Sequence, residues 1–120
     1  MSLIHRLEPI WWLLFGAGGF ATALFLPGLL LGFALWTPLG WWSDYAVSYH
    51  RVRGLVANPI GAPLMVILLS LMAWHSAHHL RHFALDVGLK RFEAPISALL
   101  YALAAVTTLA SVVAAGRLLA

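Results

Sequence analysis

"PIWWLLFGAGGFATALFLPGLLLGFALWTPLGWWS", residues 9–43, contains no Asp, Glu, Lys, Arg or His. A helix at the surface of a soluble domain keeps one polar face for water, and this stretch has none to offer. It also exceeds the roughly 20 helical residues that cross a hydrocarbon core. Two further runs, from Gly54 to Trp74 and from Ala94 to Gly116, are equally free of ionisable side chains. The sequence therefore predicts an all-α integral membrane protein, with three transmembrane helices in a single domain over residues 1–120.

The composition agrees. The chain is 62% hydrophobic and 9% charged, with a mean hydropathy of +0.91. Soluble domains carry about a quarter charged residues. The absence of cysteine excludes disulfides, thiolate chemistry and iron–sulfur ligation by these residues. The isoelectric point near 10.0 rests on only seven Lys and Arg. They flank the apolar runs rather than forming a nucleic-acid footprint, so no nucleic-acid partner is expected. A cleavable signal is the competing reading of the first run, because Arg6 precedes it and Ala21-Thr22-Ala23 resembles a cleavage site. The apolar stretch continues to Trp36, beyond a signal core of about 7–15 residues, so a retained helix is expected.

Proline and glycine punctuate the three runs. Pro9 suits the first turn of helix 1, where a missing N–H costs nothing, with Glu8 on the positive end of the dipole. Pro27 is a candidate kink, and the helix is expected to close by "WTPLGWW", giving a span of about residues 9–38. Ser43 to Ala57 carries Asp44, His50, Arg51 and Arg53 and reads as an extramembrane connection. Asn58 as cap and Pro59 in the first turn open helix 2, and Gly88 as C′ glycine closes it, for about residues 59–87. At roughly 1.5 Å per residue that helix is about 43 Å long, so its histidine end projects from a core about 30 Å thick. Helix 3 covers about residues 95–116, with Ala98, Ala102 and Ala105 as a small-residue stripe for close packing. Gly28 and Gly32 read as the same kind of packing surface in helix 1.

Three spans put the start of helix 1, the end of helix 2 and the start of helix 3 on one membrane face. Four of the seven Lys and Arg fall there (Arg6, Arg81, Lys90, Arg91), against Arg51, Arg53 and Arg117 opposite. The bias toward a cytoplasmic N-terminus is slight.

That face also holds "WHSAHHLRHFALD", residues 74–86. His75, His78, His79, His82 and Asp86 recur three or four apart, along one side of a helix. Such a row admits several chemistries. His78 and His82 with Asp86 make a metal reading. One histidine lent beside a partner makes a haem reading, since a b-type haem takes axial ligands from facing helices. A solvated helix end among lipid headgroups needs no ligand at all. A quinone site needs N–H donors for carbonyl oxygens and groups that exchange protons near neutral pH, and imidazoles beside Trp11 or Trp12 supply both.

The "EPIWWLLFGAGG" opening, the "RGLVANPIGAP" start of helix 2 and the "HSAHHLRHFALDVG" close resemble the D subunit of bacterial fumarate reductase. The resemblance covers the chain from Glu8 into helix 3. It implies one of two membrane anchors of a four-subunit quinol:fumarate reductase in a bacterial cytoplasmic membrane. Flavoprotein and iron–sulfur subunits would dock on the cytoplasmic face, and a C-type anchor would complete the helix bundle. The resemblance further implies menaquinone bound at a subunit interface, with no flavin, iron–sulfur cluster or haem held by this chain itself. Carried over by position, the quinone-facing tryptophan falls on Trp12, with Phe15 and Gly16 beside it, and the histidines fall on His78 and His82. The family's arginine after the first histidine is His79 here. Arg81 follows, about 200° around the helix from His79. The basic group is therefore expected from His79, Arg81 or a partner. On this reading the chain is not an enzyme alone. The alternatives are a haem-ligating succinate dehydrogenase anchor and a purely structural assembly subunit.

Overall fold

The computed structural model describes the backbone of residues 3–45 and 48–120; the side chains of residues 3–8 and 11 lie outside that description. The expectations placed on Arg6, Glu8 and the Trp11 indole fall among them. Among the described residues every regular element is helical. Helix α1 (Leu3–Leu30) passes into a π-helical segment (Leu31–Trp36), followed by the short α2 (Tyr49–Val56), α3 (Gly61–Asp86), a 3-10 turn (Lys90–Phe92) and α4 (Glu93–Leu119). Three segments, Trp12–Trp36, Gly61–Asp86 and Lys90–Leu119, are long and apolar enough to cross a membrane. The protein is a multi-pass membrane protein.

Helix α1 begins at Leu3, earlier than Pro9, so both Pro9 and Pro27 are interior. Each withholds one N–H from the ladder, a loss that membrane helices tolerate. The apolar span starts at Trp12 even though the helix does not. A helix need not end where the membrane does, and the charge boundary marked the wrong one of the two. The close of the span is wider than an α-turn: Thr37 donates its N–H to Gly32 O at 3.0 Å, and its hydroxyl donates to the same oxygen at 2.7 Å. Gly40, at φ +69°, then donates to Thr37 O while Trp41 N–H reaches back to Trp36 O. This is a Schellman close, which requires a left-handed residue. Gly88, at φ +97°, ends α3 by the same device, with Gly88 N–H on Leu85 O and Leu89 N–H on Ala84 O.

Between them the connection is not featureless, because Ser48 accepts from Arg51 N–H and caps α2. Asn58 ties α2 to α3. Its Oδ1 accepts from Ile60 and Gly61 N–H, and its Nδ2 donates to the Leu55 and Gly54 carbonyls. A Cβ on Gly61 would stand 2.0 Å from Leu55 O, so this turn admits only glycine there.

The core is made of small residues. Ala21, Ala62, Ala77, Ala104, Ala115 and Ser111 are buried, whereas Leu13, Phe20 and Leu64 face outward. Lipid tails are as apolar as leucine, so burying leucine gains little here and close backbone approach takes its place. Helix α3 lies in the middle, packed on α1 and α4, and among the described residues the backbones of α1 and α4 do not approach each other closely. The inward stripe of α4 is Ser97, Tyr101, Ala104, Thr108, Ser111 and Ala115, at alternating steps of four and three, as in left-handed helix packing. Within this chain the expected alanine stripe is not the packed face: Ala98 and Ala102 are exposed and Ala105 is only half-buried. Gly28 likewise meets nothing, and Gly32 receives the folded-back Trp42 indole rather than a helix.

Candidate functional site

Because α1 and α4 diverge across α3, a trough opens between them at the end where α3 terminates. It holds a cleft of about 860 Å³, lined by Trp12, Leu14 and Phe15 of α1, Trp74, His75, His78 and His82 of α3, and Tyr101 of α4. That volume lies within the roughly 300–1,000 Å³ of small-molecule sites, which are apolar with a few placed polar groups.

Glycines create the α1 wall. A Cβ on Gly18 would stand 2.6 Å from Leu71 O and 2.7 Å from His75 Cβ, and one on Gly19 would stand 2.9 Å from His75 Cε1. The "GAGG" stretch thus lets α3 lie against the α1 backbone and seats the His75 imidazole on it. His75 Nδ1 is 3.1 Å from Phe15 O. A carbonyl oxygen only accepts, so Nδ1 carries the proton and donates it, which leaves Nε2 as the bare nitrogen of the neutral ring. The Phe15 ring then lies among imidazoles, with centroids 4.7 Å from His75, 4.8 Å from His78 and 5.5 Å from His79. Trp12 stands edge-on to Phe15 at 6.4 Å and is 67% exposed, so it forms the outer rim.

The α4 wall is polar where it meets α3. His78 Nδ1 lies 3.0 Å from the Tyr101 hydroxyl. Tyr101 stacks on Trp74 at 5.9 Å and 24°, and Trp74 Nε1–H donates to Thr108 Oγ1 at 3.1 Å. His82 packs edge-on against His78, with centroids 4.5 Å apart.

Four of the seven residues expected from sequence therefore line the cleft: Trp12, Phe15, His78 and His82. Gly16 faces open space, with nothing within 4 Å of an added Cβ. His79 is exposed and touches the site only through its ring contacts with Phe15 and His75. Arg81 turns toward α4, where Nε donates to Ser97 Oγ at 2.9 Å and the guanidinium pairs with Glu93. It reaches the site only through Nη1, which donates to His82 Nε2 at a long 3.5 Å. Among the described residues no three His, Cys, Asp or Glu side chains gather as a metal would require, so the row of His78, His82 and Asp86 does not close into one. Sequence reasoning does not single out Leu14, Trp74 or Tyr101 as site residues, and it places His75 in the histidine row without assigning it to the site. Tyr101 does carry a signal: a phenol inside a charge-free helix needs a partner, and that partner is an imidazole.

A family model for the fumarate reductase D subunit matches residues 4–115. The chain is similar to the fumarate reductase D subunit of Photobacterium profundum, 44% identical over 75 residues, or 62% of each chain and so less than two thirds of that relative. It is 43% identical over 99 residues to the same subunit of Mycobacterium bovis, covering 81% of this chain and 77% of the relative. With that of Aliivibrio fischeri it shares 39% identity over 106 residues, 88% of both.

Proposed function

The chain belongs to the family of fumarate reductase D subunits and is a membrane anchor of that kind, and from that premise we propose that its cleft binds the headgroup of a quinol. Electrons would pass from that quinol, a menaquinol by family resemblance, to an iron–sulfur subunit, and fumarate would be reduced on a flavoprotein subunit. A C-type anchor would close the open side of the trough. The N-terminus, the histidine end of α3 and the start of α4 would face the cytoplasm of a bacterial inner membrane, where those catalytic subunits dock.

The observation that carries this reading is the make-up of the cleft. Its walls are Trp12, Leu14, Phe15 and Trp74, suited to a flat ring on an apolar tail, and its polar groups are imidazoles and one phenol. Oxidising a quinol breaks two O–H bonds and releases two electrons and two protons. The electrons need an acceptor outside this chain. The protons need acceptors, and the imidazoles of His75, His78 and His82 line the cleft.

The test uses the complex purified with this chain from its native membranes. Trp12→Leu and His78→Leu should each lower kcat/KM for a short-chain naphthoquinol about tenfold or more, while fumarate reduction by a water-soluble viologen donor stays intact. Unchanged quinol turnover in both variants would refute the reading and leave a structural assembly role. A Soret band in the purified membrane part would favour the haem-ligating alternative.

A further inference from the structure

His75 and His78 face the same cleft but are held differently. The partner of His75 is a backbone carbonyl, which fixes its Nδ1 as donor. The partner of His78 is a hydroxyl at 3.0 Å, which carries one donor and two acceptor sites. The same imidazole orientation therefore accommodates two states. With Tyr101 donating to Nδ1, His78 carries its proton on Nε2. With His78 Nδ1–H donating to Tyr101, Nε2 is bare. Among the described residues no hydrogen bond engages His78 Nε2, the ring nitrogen left for the cleft.

Tyr101 is itself held in place. Its ring stacks on Trp74, whose indole N–H is fixed by Thr108, and the Thr108 hydroxyl donates onward to Ala104 O at 3.0 Å. The phenol ring is thus anchored while its hydroxyl hydrogen stays free to rotate.

A quinone presents carbonyl oxygens that only accept, and a quinol presents hydroxyls that also donate. A group that donates to the one and accepts from the other without moving uses the full hydrogen-bonding capacity of both forms. We propose that Tyr101 is a positioning residue that allows His78 to do this, by fixing the ring plane while accepting or donating at Nδ1 as the bound redox form demands. This rests on the reading of the cleft as a quinone site. Tyr101 keeps its own proton in both arrangements; His78 changes tautomer by exchange at the cleft mouth, where His82 is exposed.

Tyr101→Phe removes the hydroxyl and keeps the stack on Trp74. In the purified complex it should weaken both the dissociation constant of a short-chain naphthoquinone and the KM of the matching naphthoquinol, each roughly three- to tenfold, the worth of one neutral hydrogen bond. In a His78→Leu background the same substitution should change neither. Ser97→Ala, which breaks a different hydrogen bond between α3 and α4, should leave both constants unaltered in the wild-type background.

Several results would overturn the proposal. One is a Tyr101→Phe effect that persists in the His78→Leu background, and another is an equal effect from Ser97→Ala. Either would make Tyr101 a packing residue. Weakening of the quinone alone or the quinol alone would show that His78 serves one fixed tautomer. No effect of Tyr101→Phe beside a large effect of His78→Leu would sink this inference and spare the quinone site. Silence from His78→Leu would sink this inference, and silence from Trp12→Leu as well would sink the quinone site with it.

Discussion

The two seams that α3 makes with its neighbours are built from different materials. Against α1 the contact is backbone and glycine, with Gly18 and Gly19 placed under Leu71 and His75. Against α4 it is a ladder of side-chain bonds, from Trp74–Thr108 through His78–Tyr101 to Arg81 with Ser97 and Glu93. Both are solutions to helix association where apolar burial drives nothing. They differ in how they fail. A close-approach seam has no slack, so one added atom separates the helices, whereas a ladder loses one rung at a time. The cleft lies where the two meet, with its His75 fixed by the first seam and its His78 by the second.

The largest effect expected from this contrast is at Gly18. In Gly18→Val the new Cβ meets Leu71 O at 2.6 Å, and its obstacle is backbone rather than a yielding side chain tip. Overpacking costs about 1–3 kcal/mol and more where nothing relaxes. The yield of complex in the membrane should collapse and the Tm of what remains should fall by several degrees. Gly28→Ala, which meets nothing within 4 Å, is the matched control and should hold wild-type yield. Equal behaviour of the two variants would show that the close approach at Gly18 does not govern assembly.

The contrast also explains what was legible in advance. The charge-free runs marked three spans, and Gly40 and Gly88 stand where a left-handed residue must end a helix. Asn58 was readable as the organiser of the turn before α3 because its chemistry is local, but the helix opens at Gly61 with Ile60 at its cap, which corrects the expected start at Asn58 and Pro59. Which face of α4 points inward was not readable. In lipid every face of a helix is apolar, so the periodicity that betrays a core in water is missing. The alanines at 98, 102 and 105 were as eligible as the stripe through Ala104 and Ala115. Local motifs were visible, and the rotation of each helix about its own axis was not. Trp74, four residues before His78, already shares its face, whereas Tyr101 entered the cleft through that rotation. Arg81 left it for the same reason, since its position in the histidine row said nothing of Glu93 and Ser97 waiting on α4.

The outermost rung of the ladder gives the intermediate effect. Arg81→Ala deletes the Ser97 bond and the Glu93 pair together. Its side chain is 22% exposed and that of Glu93 47%, so solvent screens part of the interaction. A loss of about 1–2 kcal/mol is expected, below that of a buried charged pair. Glu93→Gln should cost less, and its effect should shrink in high salt. A cost for Arg81→Ala that exceeds that of Gly18→Val would invert the proposed ranking of the seams.

The smallest effect belongs to the deepest rung. Trp74 Nε1–H to Thr108 Oγ1 is a single neutral bond between facing helices. Such bonds average about 0.6 kcal/mol in membranes, because the separated helices find other partners. Thr108→Val removes the acceptor and Trp74→Phe the donor, and each should lower the Tm of the complex only slightly. If the bond is their shared loss, the double variant costs less than the sum, and the shortfall measures the rung. Thr108 also donates to Ala104 O, and Trp74 also stacks on Tyr101. Those separate losses should remain additive, so the cycle isolates the one bond from its neighbours. Strict additivity would mean the rung contributes nothing, and the α4 seam would then rest on Tyr101, Arg81 and the packing of Ala104, Ser111 and Ala115.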